Sequence, residues 1–318
     1  MNLRQSRLRL SRRRNKLTDT SANDRQLPMR MSLQPSNPAL RSGVLFACAT
    51  LSSLLFATSL HCDPYASTWA YGQKSSLRLI AAGAGPPQSF YRAGVEIRLE
   101  PGALTYWRMP GGAGAPPVFS TEGSANASAI AVSYPAPTRI DEDGIEAFGY
   151  RDRVIFPVRI TPGDTARPVH LVLNVTYAVC SRMCLPTKAE ARLTFLPTPE
   201  SGTASPEAAA IAAAEAAVPL RLTPEQRDAK VAITRDETAP TPTWRLTPRG
   251  GGAQDLFAEA PPGWYFETRK SSRPDEFLIV EVERPRIDSR APVPVILTLR
   301  NERQSYEFAV DLDGASVP

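Results

Sequence analysis

The stretch VHLVLNVTYAVCSRMCLPTKAEARLTF, residues 169–195, predicts two β-strands joined by a short turn that carries two cysteines. In its first half one face collects the apolar side chains of Val169, Leu171, Leu173, Val175, Tyr177 and Val179. The opposite face carries His170, Asn174, Thr176 and Cys180. This period of two indicates a half-buried strand. The second half alternates in the same way, so the stretch predicts an antiparallel hairpin, with Ala191, Leu193 and Phe195 on one face and Glu190, Arg192 and Thr194 on the other.

Further strand-like segments, separated by turns rich in glycine and proline, occupy the chain on both sides of this hairpin. Before it, between residues 74 and 162, they are KSSLRLIAAG, FYRAGVEIRLEPGALTYWRMP, ASAIAVSYPAP and IEAFGYRDRVIFPVRITP. After it, between residues 229 and 312, they are AKVAITRD, TWRLTP, GWYFETR, EFLIVEVE, VPVILTLR and QSYEFAVDL. The pattern predicts an all-β protein in which one antiparallel sandwich is followed by a second, smaller one.

Residues 197–227 interrupt the strand pattern with an alanine-rich run. Ser205 is the predicted N-cap of a short helix in this linker, and Pro206 its first helical position. The chain is therefore predicted to consist of four segments: a basic region with a signal peptide (1–62), a first β domain that carries the cysteine pair (63–197), a linker with a short helix (198–227) and a second β domain (228–318).

The positive charge of the chain is concentrated near its N-terminus. Residues 1–42 contain ten basic and two acidic residues, a net charge of +8, so the whole-chain charge of +5 leaves −3 for the remainder.

The uncharged apolar run from Gly43 to Leu60 then gives the layout of a secretory signal peptide, with cleavage after Ser59 or Cys62. The alternative is an uncleaved membrane anchor, because about 18 apolar residues is the lower limit for a transmembrane helix. We expect a periplasmic protein, and its slightly acidic exported part gives nucleic-acid binding no electrostatic basis.

Few residues of the exported part can carry chemistry. Beyond residue 62 the chain contains one histidine, His170, and two cysteines, Cys180 and Cys184. A serine protease-like triad would have to use His170 in mid-strand, and a four-ligand zinc site lacks nitrogen and sulfur donors. The acidic run RIDEDGIE, residues 139–146, is typical of a solvated turn. The sequence predicts no bound cofactor and leaves the cysteine pair as the candidate site.

Cys180 and Cys184 flank a three-residue turn, where opposite positions of a hairpin lie about 5 Å apart and can form a disulfide. So short a ring contributes only about 2 kcal/mol of loop-closure entropy, against nearly 5 kcal/mol for a loop of about 100 residues. Arg182 and Lys188 would favour a thiolate and hence exchange. A redox-active pair is therefore the favoured interpretation. The alternatives are a structural disulfide and a copper(I) site in which Met183 adds a third soft sulfur ligand.

The segment YAVCSRMCLPTKAEARLTF, together with GALTYWRMPGGAGAPPVF and EAFGYRDRVIFPVRI, resembles the periplasmic N-terminal domain of the DsbD thiol:disulfide interchange family, especially its stand-alone and ScsB-like relatives. The resemblance covers about residues 68–197. It implies an immunoglobulin-like sandwich whose cysteine pair, here Cys180 and Cys184, passes electrons from a membrane thiol carrier to periplasmic thioredoxin-like or disulfide isomerase proteins.

In that family a loop with an aromatic tip caps the cysteines. The matching hairpin here contains Tyr106, Trp107, Arg108 and Met109, with Pro110 to Pro117 as the loop. Tyr106, Trp107, Met109 and Arg182 are therefore candidate modulators of the pair.

Two departures from the family pattern matter. The better-known members separate their cysteines by five residues rather than three, and they continue into a membrane domain and a thioredoxin domain. Here residues 228–318 contain no cysteine, so a separate membrane partner is implied.

The sequence thus predicts a periplasmic protein-disulfide reductant or electron relay that acts through Cys180 and Cys184. Two alternatives stay open: a copper(I)-binding module with a role in copper tolerance, and a non-enzymatic β-sandwich scaffold with a structural disulfide.

Overall fold

The computed structural model describes residues 65–84, 89–197, 205–285 and 291–313. These residues belong to one compact unit, Leu60–Pro318. The predicted basic region and signal peptide, residues 1–62, lie outside the described residues. Among the helices of the described ranges, none is long and apolar enough to cross a membrane.

Strands dominate the described residues, as the all-β prediction requires. The N-terminal strands are β1 (Ala70–Gly72), β2 (Ser75–Ala84), β3 (Tyr91–Leu99), β4 (Leu104–Gly111), β5 (Val118–Ser120), β6 (Ala127–Val132), β7 (Thr138–Glu142), β8 (Ile145–Arg151), β9 (Arg153–Pro162), β10 (Val169–Cys180) and β11 (Cys184–Phe195). Then follow α1 (Ala208–Ala216), β12 (Leu220–Arg221) and α2 (Pro224–Lys230). The C-terminal strands are β13 (Val231–Arg235), β14 (Thr243–Pro248), β15 (Ala253–Glu259), β16 (Tyr265–Lys270), β17 (Phe277–Glu283), β18 (Val293–Asn301) and β19 (Tyr306–Leu312).

Strands β1 to β11 form the first sandwich. One sheet has the order β1-β2-β3-β9-β6, and the other has the order β11-β10-β4-β8-β7 with β5 paired to β10. Inward-facing side chains of both sheets share a core, and the apolar face predicted for β10 lies in it from Val169 to Val179. The predicted hairpin is present, since β10 and β11 pair antiparallel over their whole length.

The second sandwich consists of two four-stranded sheets, ordered β12-β19-β18-β15 and β13-β14-β17-β16. Its core contains Trp244, Phe277 and Phe308. In β17 the alternation buries Phe277 and Ile279, so the neighbouring apolar residues Leu278, Val280 and Val282 form its outer face. The predicted all-β architecture is confirmed, whereas the limits of the four predicted segments stay a prediction.

Helix α1 packs on the outer face of the five-stranded sheet of the first sandwich. Ile211 is completely buried against Ile80 of β2 and Ile155 of β9. Ion pairs hold both ends of the helix, one between Glu207 and Arg78 at 2.8 Å and one between Glu215 and Arg92. This part of the predicted linker is therefore anchored to the first sandwich.

The start of α1 differs from the prediction. The helix begins at Ala208, and the N-cap is Glu207 rather than Ser205. The Ser205 hydroxyl instead accepts a hydrogen bond from the backbone N–H of Glu207 at 3.1 Å, which forms a turn just before the helix. Helix α2 was not predicted, although Thr223 and Gln226 form a capping box around it and Pro224 opens it.

The two sandwiches share an aromatic contact. Phe257 of β15 is completely buried and belongs to the core of the first sandwich, where it packs edge-on against Trp107 of β4 and Phe148 of β8. Arg108 and Arg139 flank this contact, and their ion pairs to the second sandwich are Arg108 with Glu259 and Glu307, and Arg139 with Asp255. The second sandwich thus packs against β4 and β8, two strands of the sheet that contains the cysteine hairpin.

Candidate functional site

The cysteine pair closes the β10–β11 hairpin. Cys180 ends β10, Cys184 begins β11, and the two residues face each other in the strand register. They form a disulfide, and their Cα atoms lie 4.0 Å apart. Ser181 to Met183 form the connecting turn, in which the N–H of Ser181 donates to the carbonyl of Met183 at 3.4 Å.

The two sulfur-bearing residues differ in exposure. Cys180 is completely buried, whereas Cys184 is exposed. Cys180 belongs to a small cluster, separate from the main core, with Leu104, Tyr106, Ile140, Ala147 and Ala178. The prediction of a half-buried strand therefore fails at the end of β10, because side chains of β4, β7 and β8 cover the face that carries Cys180. Only one residue of the pair is open to a partner.

Tyr106 holds the position next to the exposed cysteine. Its side chain is completely buried, and its hydroxyl lies 3.5 Å from Cys184 Sγ and donates to Glu142 Oε2 at 2.8 Å. Burial, then the hydrogen bond to Glu142 and the charge of that carboxylate, raise the pKa of Tyr106 well above its ordinary value of 10.0. The phenol therefore stays neutral and acts as a hydrogen-bond donor.

Glu142 completes the site, and sequence reasoning did not select it. It ends β7, in the acidic run predicted to be a solvated turn, and its Oε1 lies 3.5 Å from Cys184 Sγ. The turn itself is formed by Asp143 and Gly144, which both have positive φ. No local signal in the sequence indicates the contact, because Glu142 and Cys184 are 42 positions apart and lie on strands of one sheet, β7 and β11, that are not neighbours.

The charged group in contact with the pair is one that the sequence did not predict. Arg182 and Lys188 were expected to favour a thiolate, but Lys188 lies opposite Thr176, four residues further along β11. The ionised group that contacts Cys184 is the carboxylate of Glu142. A carboxylate at this distance disfavours the thiolate and can accept the S–H of the reduced cysteine.

The predicted capping loop is shorter than expected. Pro110 and Gly111 still belong to β4, so the loop begins at Gly112. Gly114, with φ of +81°, lies directly on the ring of Tyr106: a Cβ at this position would come within 2.0 Å of the ring carbon Cζ. The loop therefore packs on Tyr106, and its Ala113 packs against the cluster that contains Tyr106 and Cys180.

Of the other candidate modulators, Arg182 is exposed in the turn between the two cysteines, whereas Trp107 and Met109 lie away from the sulfurs. Trp107 points into the core of the first sandwich, and Met109 packs against that core while partly buried. Arg108 is engaged by Glu259 and Glu307 of the second sandwich. Of the predicted aromatic hairpin, only Tyr106 is brought to the cysteine pair by a contact within the described residues.

The tip of the cysteine hairpin is held from a second direction. Lys74, in the turn between β1 and β2, donates from its ammonium group to the Ser181 hydroxyl at 2.7 Å. Met183, the third ligand of the copper(I) alternative, is 69% exposed at this tip. The carboxylate of Glu142, by contrast, lies within 4.8 Å of both sulfur atoms.

Known proteins match this chain in sequence, through a family model, and in fold. Residues 81–196 match the family model described as thiol:disulfide interchange protein DsbD, N-terminal. The structure is similar to the crystal structure of the N-terminal periplasmic domain of ScsB from Proteus mirabilis, with a TM-score of 0.62 and 19% identity over 79% of this chain and 100% of that chain. A chimeric titin Z1Z2 carrying a decorin peptide also matches, with 10% identity over 80% of this chain and 99% of that chain. Its TM-score of 0.16 is too low to indicate a shared fold. No curated protein sequence matches the chain.

The match to the ScsB domain covers more of the chain than residues 81–196, so the similarity in fold includes the second sandwich. The family resemblance predicted from the cysteine hairpin is confirmed by the family match. Residues 81–196 of this chain therefore form a DsbD N-terminal-like domain.

Proposed function

We propose that this chain is a periplasmic thiol:disulfide interchange protein that relays electrons through Cys180 and Cys184. The observation that carries the proposal is the asymmetry of the pair within a DsbD N-terminal-like domain: Cys184 is exposed and Cys180 is buried. The similar ScsB domain is described as periplasmic, which supports the location. The donor is a separate membrane thiol carrier, and the acceptors are periplasmic thioredoxin-like or disulfide isomerase proteins.

The exchange starts at the exposed sulfur. The thiolate of Cys184 attacks one sulfur of the partner's disulfide, and the partner's other sulfur leaves as a thiolate. Cys180 then attacks Cys184 Sγ, which re-forms the intramolecular disulfide and releases the partner's second thiolate. Two electrons pass to the partner, and its two thiolates take up the two protons that Cys180 and Cys184 have lost. A dithiol donor reduces the pair again by the same steps in reverse.

Glu142 and Tyr106 control the resting state of the exposed thiol. In the reduced protein the carboxylate can accept the S–H of Cys184, and the neutral Tyr106 phenol holds the carboxylate in place at 2.8 Å. The negative charge disfavours the Cys184 thiolate, so we expect the thiol to stay protonated between encounters. Replacement Glu142→Gln should lower the pKa of this thiol, which the pH dependence of its alkylation measures.

Trapping of a mixed disulfide tests the proposal. In a Cys180→Ser variant the exposed Cys184 can attack a partner but cannot be displaced from it, so a mixed disulfide should accumulate in a periplasmic extract of the source organism. Cys184→Ser is the matched variant, and it should trap far less because its remaining thiol is buried. If neither variant formed a mixed disulfide, the relay would be contradicted. Equal trapping by both would contradict the assigned order of attack.

A further inference from the structure

We infer that the reduced pair and Glu142 form a binding site for a borderline-soft divalent metal ion, of which Zn²⁺ is the representative. The inference rests on the proposed function, because the pair must be reducible. The sulfur atoms of Cys180 and Cys184 and a carboxylate oxygen of Glu142 lie within 4.8 Å of one another. Two thiolates and one carboxylate are all donors that Zn²⁺ accepts.

The spacing of the donors fits a tetrahedral ion. Bonds of about 2.3 Å to sulfur and about 2.0 Å to oxygen place a sulfur and an oxygen ligand about 3.5 Å apart at the tetrahedral angle. Cys184 Sγ and Glu142 Oε1 are already 3.5 Å apart. Two sulfur ligands of such an ion lie about 3.8 Å apart. Reduced cysteines whose Cα atoms are 4.0 Å apart in a closed hairpin can present their sulfurs at that separation.

The hydrogen bonding around the Glu142 carboxylate also resembles that around a carboxylate that ligates a metal ion. Tyr106 donates to Glu142 Oε2, which leaves Oε1 directed at the sulfur atoms. Such an outer hydrogen bond orients ligating carboxylates in metal sites. Cys180 adds a buried donor and Cys184 an exposed one, so the ion would have one enclosed side and one open side. The fourth position is left to water or to a group from a partner.

Metal binding and disulfide exchange would exclude each other. Binding displaces one proton from each thiol and engages both thiolates, so neither is free to attack a partner. No electron is transferred, and removal of the ion returns the reduced pair. The site would therefore hold the protein reduced and inactive whenever the divalent ion is abundant.

Metal titration of the full chain, with Cys48 and Cys62 replaced by serine, tests the site. The protein is reduced, its two thiols are counted, and Cd²⁺ alone is added without oxygen, because cadmium thiolates absorb in the ultraviolet. We expect one Cd²⁺ per reduced chain, displaced by an excess of Zn²⁺, and none on the oxidised chain. Bound Zn²⁺ should also protect both thiols from alkylation.

Variants separate the three-ligand site from a bare dithiol. Glu142→Gln should weaken binding at least about tenfold, and Tyr106→Phe should weaken it by about tenfold through the lost outer hydrogen bond. Asp143→Asn is the matched control, because it removes the neighbouring charge at a position of positive φ that asparagine tolerates. It should leave the affinity unchanged.

Each remaining outcome decides between the proposals. Equal affinity of the parent and Glu142→Gln would overturn the three-ligand site. Two free thiols without any metal binding would overturn the site and leave the exchange function standing. Failure of dithiol reductants to free the thiols would overturn the exchange function and, with it, this site.

Discussion

Replacement of Phe257 by alanine should weaken both sandwiches at once. The ring lies on β15 of the second sandwich but is completely buried in the core of the first. Its centroid is 5.9 Å from that of Trp107 and 4.9 Å from that of Phe148, both in edge-on arrangements. The strands that carry these two partners, β4 and β8, also support the cysteine site.

The structure sets the size of the effect. Loss of a buried phenylalanine side chain removes about 2–3 kcal/mol of hydrophobic transfer free energy. Each of the two edge-on contacts adds about 0.5–1.5 kcal/mol beyond that area term. The total, about 3–6 kcal/mol, agrees with the cost of about 3–5 kcal/mol that is typical of Phe→Ala in a core.

Denaturant unfolding combined with amide hydrogen exchange measures this prediction. Phe257→Ala should lower the free energy of unfolding by about 4 kcal/mol and increase exchange in β4 and β8. Phe277→Ala is the matched control, because Phe277 is also buried but belongs to the core of the second sandwich. It should leave local exchange in β4 and β8 unchanged. A loss below about 1 kcal/mol for Phe257→Ala, or unchanged exchange in β4 and β8, would refute the shared contact.

Three further predictions concern the site and its supports. Gly114→Ala should displace the Tyr106 ring and destabilise the protein by at least about 1–2 kcal/mol. Dithiothreitol should then reduce the disulfide faster than in the parent protein. An unchanged rate of reduction would contradict the packing of the loop on Tyr106 as a support of the site. Ile211→Ala should cost about 2–5 kcal/mol in denaturant unfolding, and a negligible cost would mean that α1 is not anchored. Burial opposes ionisation of Glu96, but its arginine partners outweigh burial and lower its pKa below 4.5. Its stabilising contribution is therefore present above the unfolded-state pKa and is lost as pH falls through the lower folded pKa, so Glu96→Gln should flatten the acid side of the stability curve.

The strand pattern of the sequence was sufficient to predict the cysteine hairpin and the two sandwiches. Alternation along β10 and β11 is a local property, and the turn between them is short, so the register of Cys180 and Cys184 follows from the hairpin itself. Tyr106 was selected through the family resemblance, and the structure places its hydroxyl beside Cys184.

The contacts that the sequence did not reveal are long-range ones. Glu142 and Cys184 are in contact although β10, β4 and β8 lie between their strands in the order of the sheet. Phe257 looks like an ordinary core residue of its own strand, yet its partners Trp107 and Phe148 belong to another sandwich. Alternation predicts which face of a strand is buried, but it does not identify the element that covers the face.

The reduction potential of the Cys180–Cys184 pair tests the central claim most directly. It can be measured in the full chain, with Cys48 and Cys62 replaced by serine, by equilibration with dithiol buffers followed by thiol trapping. A relay pair should have a potential between about −180 and −270 mV, the range of working exchange proteins. A value below about −300 mV would mark a structural disulfide and would contradict the proposed function.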